Sequence, residues 1–448
     1  MGICIVALDF KLKNFFYPLA LLKLHKIFDN NQKLSHSSLV DYQNTRLKII
    51  LTHAYENVPY YKRLFQKLNL HPDDIKNTHD LKLLPILDKK TLRLAFEDLS
   101  DQTLKKQTVN TLVTSGTSGR QTRVLVDKYA NILEFVYYWR YWNGAGYRLG
   151  DTFAEFSNVY FINRPNLMMK QFIFQPFLRR LVLNNTIISD ESVRGYHSQF
   201  KRFAPEFIKG LPSTLYLVAL ALQKLNLKYT GFRAVFSTGE ILLMSQRKVI
   251  ESVFGCKCYD SYGHIERAVA ACECSYGRLH INMDYGIFEL IDDGAFGDTD
   301  KRIMKVVGTS LHNMAMPLIR YDTGDYVELY RDIEACECGC EFPLIKRVLG
   351  REANVIKTPK GDKVPNLHLI FESTKHVLGF QIIQNNINSI NIKIVKSPTY
   401  NNIYERKLLT DIQNILGKSM HISLSYCGFD DINQVRSKYA PIISSDVE

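Results

Sequence analysis

The chain has 448 residues, with 57 lysines and arginines against 45 aspartates and glutamates, which gives a formal charge of +12. At roughly 150 residues per domain, this length predicts two or three domains, each able to bury a core of its own. A hydrophobic content of 46% beside 23% charged residues excludes disordered, collagen-like and low-complexity classes. No apolar run reaches the ~18 residues of a membrane-spanning helix, and no signal peptide is recognisable, so we expect a cytoplasmic protein.

Residues 1–36 form a basic, amphipathic N-terminal segment. Its lysines alternate with aromatic and leucine side chains, and they are Lys11, Lys13, Lys23, Lys26 and Lys33. A helix of this kind either lies on an anionic membrane surface or packs on its own domain. We favour the second interpretation, with peripheral membrane contact as the alternative.

Helical and strand patterns alternate along the rest of the chain. The pattern predicts a helix over 37–70 with a break at Pro59, a strand over 108–113, an aromatic-rich helix over 132–142, a strand over 234–237, a helix over 242–254 and a strand-rich region over 288–329. After residue 352 a small α+β unit follows, with strands at 379–384, 390–395 and 421–426 and a helix at 404–416. The sequence therefore predicts a mixed α/β fold, with a large domain over 37–351 and a small C-terminal domain over 352–448.

Most of the nine cysteines lie in three tight clusters. These are Cys256 with Cys258, Cys272 with Cys274, and Cys336 with Cys338 and Cys340. In a reducing compartment such spacing favours a metal site over disulfides, and His280 lies between the second and third clusters. Thiolates and a neutral imidazole are the ligands that zinc prefers. Free cysteines are also common small core residues, the interpretation we favour for Cys256 and Cys258.

A Gly/Ser/Thr loop directly follows the strand that ends at Val113. It runs over Thr114, Ser115, Gly116, Thr117, Ser118 and Gly119, and Arg120 and Arg123 come next. Such a loop directs backbone N–H groups and hydroxyls to one point, which suits a polyphosphate. It is not a Walker A loop, because no Gly-Lys-Ser/Thr ends it. Alone, the loop also fits a flexible connector.

Further segments follow this loop in an order that resembles one known family. The loop resembles the phosphate loop of the adenylate-forming (acyl-CoA synthetase) superfamily, and the N-terminal His53 to Tyr61 is typical of its phenylacetate-coenzyme A ligase branch, which includes CapK-type capsular polysaccharide biosynthesis proteins. The remaining matches are Ser237-Thr-Gly-Glu240, Tyr262-Gly-His-Ile-Glu266, Met316-Pro-Leu-Ile-Arg-Tyr-Asp-Thr-Gly-Asp325, Gly350-Arg351 and Lys438. Several motifs in the right order are more specific than any one of them.

The resemblance implies an enzyme that adenylates a small carboxylic acid with ATP and Mg²⁺ and then transfers the acyl group, by resemblance to coenzyme A. It implies phosphate binding by the Thr114 to Gly119 loop and adenine binding by Tyr262 and Gly263, with Gly239 and Glu240 at the edge of the slot. Glu266 would bind magnesium, Asp325 the ribose hydroxyls, and Arg351 the ribose or phosphates. Lys438, on a mobile C-terminal domain, would bridge the carboxylate and the α-phosphate. From the residues alone, Asp325 could instead cap a glycine turn and Lys438 could be a solvated loop residue.

The branch also implies a structural zinc site of the type Cys…His…Cys-x-Cys-Gly. The matching residues are Cys274, His280, Cys336 and Cys338, with Cys272 and Cys340 as alternates. Zinc there would fix the segment after Glu266 relative to the segment after Asp325. We predict one zinc ion per chain.

Departures from the family pattern keep other functions open. Ile265 replaces a threonine in the phosphate-contacting motif, and Ala353-Asn354 replaces an acidic hinge pair. The alternatives are acyl transfer to a sugar amine or hydroxyl, and a non-catalytic nucleotide-binding scaffold. Nucleic acid binding is disfavoured, since the charge is dispersed and no basic recognition helix is present. The aromatic residues over 137–142 could line an acyl pocket, but helical spacing favours the core.

Overall fold

The structure is a computed structural model that describes residues 17–104, 109–113, 122–157, 160–161, 170–186, 188–293, 302–332, 335–351, 356–360, 363–364, 367, 370–373, 376–432, 434–435, 438–439 and 442–444. The α-helices are α1 (Tyr17–Asn31), α2 (His36–Asn57), α3 (Pro59–Leu68), α4 (Lys89–Leu94), α5 (Lys128–Gly144), α6 (Asp190–Phe203), α7 (Pro212–Lys224), α8 (Met244–Phe254), α9 (Ile370–Ser373) and α10 (Asn402–Leu416). Short 3₁₀ turns cover Pro72–Asp74, Thr78–Leu83, Pro176–Leu178 and Phe429–Asp431. Within these ranges no helix is long and apolar enough to cross a bilayer.

The strands of the first half are β1 (Val109–Val113), β2 (Arg123–Asp127), β3 (Phe153–Phe156), β4 (Phe172–Gln175), β5 (Arg180–Leu183), β6 (Phe207–Gly210), β7 (Ala234–Thr238) and β8 (Lys257–Gly263). Those of the second half are β9 (Ala270–Glu273), β10 (Leu279–Ile281), β11 (Gly286–Ile291), β12 (Arg302–Ser310), β13 (Tyr321–Leu329), β14 (Leu344–Ile345), β15 (Arg347–Arg351), β16 (Ile356–Lys357), β17 (Lys363–Val364), β18 (Val377–Asn386), β19 (Ser389–Lys396), β20 (His421–Tyr426), β21 (Gln434–Val435), β22 (Lys438–Tyr439) and β23 (Ile442–Ser444). The elements predicted from the sequence are all present in the described ranges, with ends that differ by a few residues. The mixed α/β fold with a small C-terminal α+β unit is confirmed.

The break predicted at Pro59 separates α2 from α3. The hydroxyl of Ser35 caps the start of α2, because it accepts a hydrogen bond from the Ser38 backbone N–H. Pro59 occupies the first turn of α3, where a missing N–H costs nothing. The predicted apolar face of α2 is buried, and it consists of Leu47, Ile50, Leu51 and Ala54.

The N-terminal helix α1 packs on its own domain, which confirms the interpretation favoured from the sequence. The Phe28 side chain is buried, and the ring of His25 lies 3.9 Å from the ring of Trp139 on α5. Leu22 and Ile27 stay exposed on the opposite face, beside exposed lysines. A membrane contact through that face stays a prediction.

A buried ion pair anchors α1 and α5 to the loop after β10. The guanidinium of Arg140 donates to both carboxylate oxygens of Asp284, at 2.6 and 3.1 Å, and to the Phe28 carbonyl at 2.7 Å. The amide of Asn31 donates to the same carboxylate at 3.0 Å. Because both charges are buried, each offsets the cost of removing the other from water, and loss of either residue would leave an unpaired buried charge.

The largest sheet of the described residues has the strand order β14-β10-β9-β8-β7-β6-β3-β5-β4. Its central strands, β8, β7, β6, β3 and β5, run parallel to one another, and β9 and β4 flank them antiparallel. The chain passes from β3 to β5 on one side of β3, then crosses to β6 on the other side and continues to β7 and β8. The connections therefore change direction between β3 and β6, which is the topological switch point of the sheet.

Two four-stranded sheets and three two-stranded sheets complete the described architecture. An antiparallel sheet of order β11-β12-β13-β15 lies beside the large sheet, and the C-terminal unit has the order β20-β19-β18-β23 with α10 packed on it. The aromatic helix α5 belongs to the core, as helical spacing indicated: Tyr137, Trp139, Tyr141 and Trp142 are buried. Cys258 is fully buried on β8, which confirms its predicted core position, and Cys256 lies partly buried just before that strand.

Candidate functional site

The end of β8 and the middle of β13 bring two predicted nucleotide residues into contact. The hydroxyl of Tyr262 donates to Asp325 Oδ2 at 2.9 Å. Burial, followed by the nearby Asp325 carboxylate, raises the pKa of Tyr262 well above its ordinary value, so the phenol stays protonated as the donor. A Cβ added at the neighbouring Gly263 would meet no atom of the described residues within 4 Å, so there is open space next to this end of β8.

Arg351 is placed opposite Asp325 by strand pairing. β13 and β15 are antiparallel, and Asp325 and Arg351 are directly paired in their register. Gly350, just before Arg351, has a φ of 90°, a left-handed conformation that favours glycine. The carboxylate that caps the adjacent glycine turn belongs to Asp322, which accepts from the Gly324 N–H at 2.8 Å. The side-chain cap of that turn is therefore Asp322, and ribose binding by Asp325 stays a prediction.

Glu266 is a buried carboxylate that the site keeps ionised. Tyr321 donates its hydroxyl to Oε1 at 2.9 Å, and His264 Nδ1 lies 3.2 Å from Oε2. Burial alone would raise the pKa of Glu266, but its contact with the His264 ring and the charge of Lys89 hold that pKa well below its usual range. Each carboxylate oxygen has a second lone pair, so an ionised Glu266 fits a divalent cation.

Lys89 is a site residue that the sequence analysis missed. Its ammonium donates a hydrogen bond to the Thr323 carbonyl. It also lies close to Gly324, because a Cβ added to that glycine would be only 3.0 Å from the Lys89 nitrogen. The same charge acts on Glu266, so Lys89 links the turn before Asp325 to the predicted magnesium ligand. No local signal identifies it, because it lies more than 170 residues before these partners and belongs to no motif found in the sequence.

Gly239 and Glu240 lie at the carboxyl end of β7, next to the end of β8. Gly239 has a φ of 85°, so the turn requires glycine there. The carboxylate of Glu240 accepts the backbone N–H of Ser213 at 3.0 Å, at the N-terminus of α7. A negative charge at that end of a helix is stabilised by the helix dipole, so Glu240 fixes the turn relative to α7.

Two predicted parts of the site are described only in part. The phosphate loop, Thr114, Ser115, Gly116, Thr117, Ser118 and Gly119, lies outside the described residues, but β1 and β2 on either side are paired with Val113 opposite Arg123. The described residues on either side of the loop are therefore neighbours in one antiparallel pair of strands. Lys438 has its backbone in β22, opposite Val435, and nothing is described of its side chain.

The four predicted metal ligands come together. The sulphur atoms of Cys274, Cys336 and Cys338 and a ring nitrogen of His280 all lie within 4.8 Å of one another. His280 Nδ1 contacts the Phe342 carbonyl at 3.0 Å, which leaves Nε2, 3.4 Å from the Cys338 sulphur, to face the thiols. Three thiolates and one imidazole without an open position match a structural zinc site.

The electrostatics of this cluster differ from one thiol to the next, because burial raises the pKa of Cys338 to about 12 whereas that of Cys274 is lowered. Burial works against ionisation of Cys274, but hydrogen bonds from His280 and from backbone N–H groups lower its pKa to about 6. The alternate Cys272 differs, because burial raises its pKa to about 12 and its sulphur instead contacts the Asn282 amide at 3.6 Å. The structure groups Cys274 rather than Cys272 with the other three ligands, and Cys340 stays outside that set.

The chain resembles known proteins over most of its length. It is 24% identical to Protein CapK of Staphylococcus aureus over 378 residues, which is 81% of this chain and 79% of that protein. It is 27% identical to a phenylacetate-coenzyme A ligase of Pseudomonas putida over 321 residues, 68% of this chain and 69% of the relative. Residues 356–445 match the family described as CapK C-terminal domain.

The chain is similar to Protein CapK and to phenylacetate-coenzyme A ligases. The predicted relationship and the predicted class of enzyme, an adenylate-forming ligase, are both confirmed at this level. The fold agrees: a 2-hydroxyisobutyryl-CoA ligase, solved in the postadenylation state in complex with R3-HIB-AMP, is 17% identical with a TM-score of 0.72, covering 92% of this chain and 91% of the ligase. Residues of the predicted nucleotide motifs lie on two neighbouring sheets, with Tyr262 on β8 and Asp325 and Arg351 on β13 and β15.

Proposed function

We propose that this protein activates a carboxylic acid with ATP and transfers the acyl group to coenzyme A. The observation that carries the proposal is the convergence of the nucleotide motifs: Tyr262 contacts Asp325, Arg351 is paired with Asp325, and Lys89 links that turn to Glu266. The phenylacetate-coenzyme A ligases among the relatives support coenzyme A as the acceptor.

In the first reaction a carboxylate oxygen of the acid attacks the α-phosphorus of ATP. The bond from that phosphorus to its bridging oxygen breaks, and acyl-AMP and pyrophosphate form. The Asp325 carboxylate accepts hydrogen bonds from the ribose hydroxyls, and Tyr262 and Gly263 border the adenine. The ammonium of Lys89 and the phosphate loop stabilise negative charge that develops on the leaving pyrophosphate.

Magnesium would be held by Glu266, whose low pKa and buried position fit a cation. When bound, the ion neutralises phosphate charge and orients the leaving group. In the second reaction the coenzyme A sulphur attacks the acyl carbon, its proton is lost, and AMP leaves with the bonding pair. Zinc at Cys274, His280, Cys336 and Cys338 would be structural, because it joins the segment after β9 to the loop before β14.

Pyrophosphate release with a panel of aryl, fatty, amino and hydroxy acids tests this function. We expect release that depends on ATP and on one class of acid, followed by an acyl-CoA product in mass spectrometry when coenzyme A is present. No release with any acid, from folded and zinc-loaded protein, would refute adenylation. An acyl-AMP that coenzyme A does not discharge would refute the acceptor.

The variant Lys438→Ala tests the C-terminal lysine. We expect pyrophosphate release to fall about 100-fold, because a cation that bridges the carboxylate and the α-phosphate is lost. Thioester formation from synthetic acyl-AMP should change little, since that step needs no such bridge. The matched control is Lys418→Ala, an exposed lysine of the same C-terminal unit, and equal losses in both variants would contradict the assignment.

The similarity to Protein CapK, over 81% of this chain, supports a second acceptor, a sugar amine or hydroxyl. This alternative predicts an acyl ester or amide of the sugar, formed from ATP and acid without coenzyme A. Ile265 supports a third candidate, a nucleotide-binding scaffold, because its side chain packs on the buried cluster of the N-terminal helices instead of offering a hydroxyl to phosphate. Tight ATP binding without turnover across the acid panel would favour the scaffold.

A further inference from the structure

The C-terminal unit packs against helix α7 of the large domain. The hydroxyl of Tyr216, on α7, donates a hydrogen bond to the Leu378 carbonyl of β18 at 2.7 Å. Burial raises the pKa of Tyr216 to about 12, so the hydroxyl stays protonated as a donor. The Phe429 ring of the C-terminal unit meets the Tyr216 ring edge-on, with 6.4 Å between the ring centres, and packs on the buried cluster to which Tyr216 belongs. A hydrogen bond and an aromatic contact therefore hold the unit on α7.

The same helix also holds the turn of Gly239 and Glu240, which is predicted to border the adenine. Ser213, in the first turn of α7, donates its backbone N–H to the Glu240 carboxylate at 3.0 Å. Ser213 and Tyr216 are three residues apart, so they lie on the same face of the helix. That face of α7 thus connects the nucleotide turn with the C-terminal unit.

The chain that leaves this turn enters the core of the C-terminal unit. Leu243 is only 3% exposed, and it belongs to an apolar cluster with Phe371 and Phe380 of the C-terminal unit. Ile241 packs on the same cluster. If the unit moved away from the large domain, both side chains would lose apolar partners and meet water, which is unfavourable. The position of the turn and the position of the unit therefore depend on each other.

The contact between the two parts is packed less completely than a core. It contains a cavity of about 40 Å³, and the residues that line this cavity include Ser213, Tyr216, Leu243, Phe371, Phe380 and Phe429. Side chains that border such a gap lack partner atoms on one side and forfeit dispersion contacts. The docked position of the unit is therefore less stable than a fully packed interface would make it, and a single hydrogen bond contributes a sizeable share of its stability.

We propose that docking of the C-terminal unit is coupled to nucleotide binding through α7, with Tyr216 as the positioning residue. The inference rests on the proposed function, because the ligand at Gly239 and Glu240 is taken to be the adenine nucleotide. Docking supports the turn from two sides, through α7 and through Leu243, and so prepares it for the adenine. Coupling between two equilibria is reciprocal, so a bound nucleotide must in turn stabilise the docked unit. Tyr216 acts through Leu378 and the turn rather than by touching the nucleotide.

Hydrogen exchange and calorimetric titration of the full chain with AMP test the proposal. In the wild-type chain we expect AMP to slow exchange of the backbone amides over 377–380 and 427–432. In Tyr216→Phe without AMP, exchange over these segments should be about 5-fold faster, because one hydrogen bond of the docked state is lost. The affinity for AMP should fall about two- to fivefold, since part of the population is then undocked.

The matched control is Tyr229→Phe. The Tyr229 hydroxyl donates to the Pro205 carbonyl at 2.9 Å, so the same kind of hydrogen bond is lost, but within the large domain. We expect this variant to leave both the affinity for AMP and exchange over the two segments unchanged, whereas a merely structural role of Tyr216 would make the two variants alike.

Three results would overturn the inference alone: AMP that binds the wild-type chain without slowing exchange over these segments, Tyr216→Phe with wild-type affinity, or an equal loss of affinity in Tyr229→Phe. A wild-type chain that binds neither ATP nor AMP overturns the proposed function, and the inference with it.

Discussion

Replacing Glu266 by glutamine should reduce ATP-dependent pyrophosphate release at least about 100-fold, or about 2.7 kcal/mol of transition-state stabilisation. The substitution keeps the shape of the side chain and its contact with Tyr321, but it removes the charge that the site holds ionised. The measurement is the rate of release over a range of magnesium concentrations. We expect saturation to move to higher magnesium, because the charged ligand is lost.

The matched control for this substitution is Glu328→Gln on β13. Glu328 is also a buried carboxylate, and it is held by Lys346 at 2.9 Å and Arg347 at 2.6 Å. Because two charge-assisted hydrogen bonds are weakened away from the nucleotide residues, we expect a loss of about 2 kcal/mol of stability and an unchanged rate. If both variants lose activity equally, or if Glu266→Gln keeps its magnesium dependence, the assignment of Glu266 as metal ligand is wrong.

Among the substitutions proposed for this protein, loss of the predicted zinc should lower the free energy of unfolding the most. Metal analysis of the purified protein is expected to give one zinc ion per chain, and none in Cys338→Ser. If the lost site costs about 4 kcal/mol, at about 2 °C per kcal/mol, the midpoint of thermal unfolding should fall by about 8 °C. Adenylation should weaken as well, because the two segments that the cluster joins carry the nucleotide residues on either side.

Cys427→Ser is the control for the metal site. Cys427 is a partly buried thiol of the C-terminal unit and lies outside the cluster, so its loss should change neither metal content nor the unfolding midpoint. Full zinc occupancy in Cys338→Ser would show that this thiol is not a ligand. Protein that contains no metal, yet unfolds at the same temperature after treatment with a chelator, would refute the site.

Features with a local cause could be predicted from the sequence. The break at Pro59, the apolar face of α2 and the strand and helix patterns follow from spacing and from backbone chemistry within a few residues. The four metal ligands also have a local signature, since zinc sites use closely spaced pairs of cysteines. The choice between Cys272 and Cys274 needed the structure, because residues two apart share a face of a strand and only the end of β9 at Glu273 separates the two thiols.

Features that depend on strand order could not be predicted. The pairing of Asp325 with Arg351 follows from the register of β13 and β15, which includes an irregularity after Tyr326. Lys89, the first residue of α4, reaches the site because Leu87 just before it pairs with Tyr321 at the start of β13. Glu155 on β3 and Lys209 on β6 are far apart in sequence. They become neighbours only because the chain crosses from β5 to β6, on the other side of β3.

The anchoring of α1 has a consequence for biosynthesis. Asn31 binds Asp284, which lies 253 residues later in the chain. At a synthesis rate of about 5–20 residues per second, the helix leaves the ribosome about 13–50 s before its partner carboxylate is made. Throughout that interval the apolar face that will pack on α5 lacks its final anchor. We therefore expect the newborn chain to depend on folding helpers, and to be most sensitive to proteolysis near α1 when synthesis is slowed.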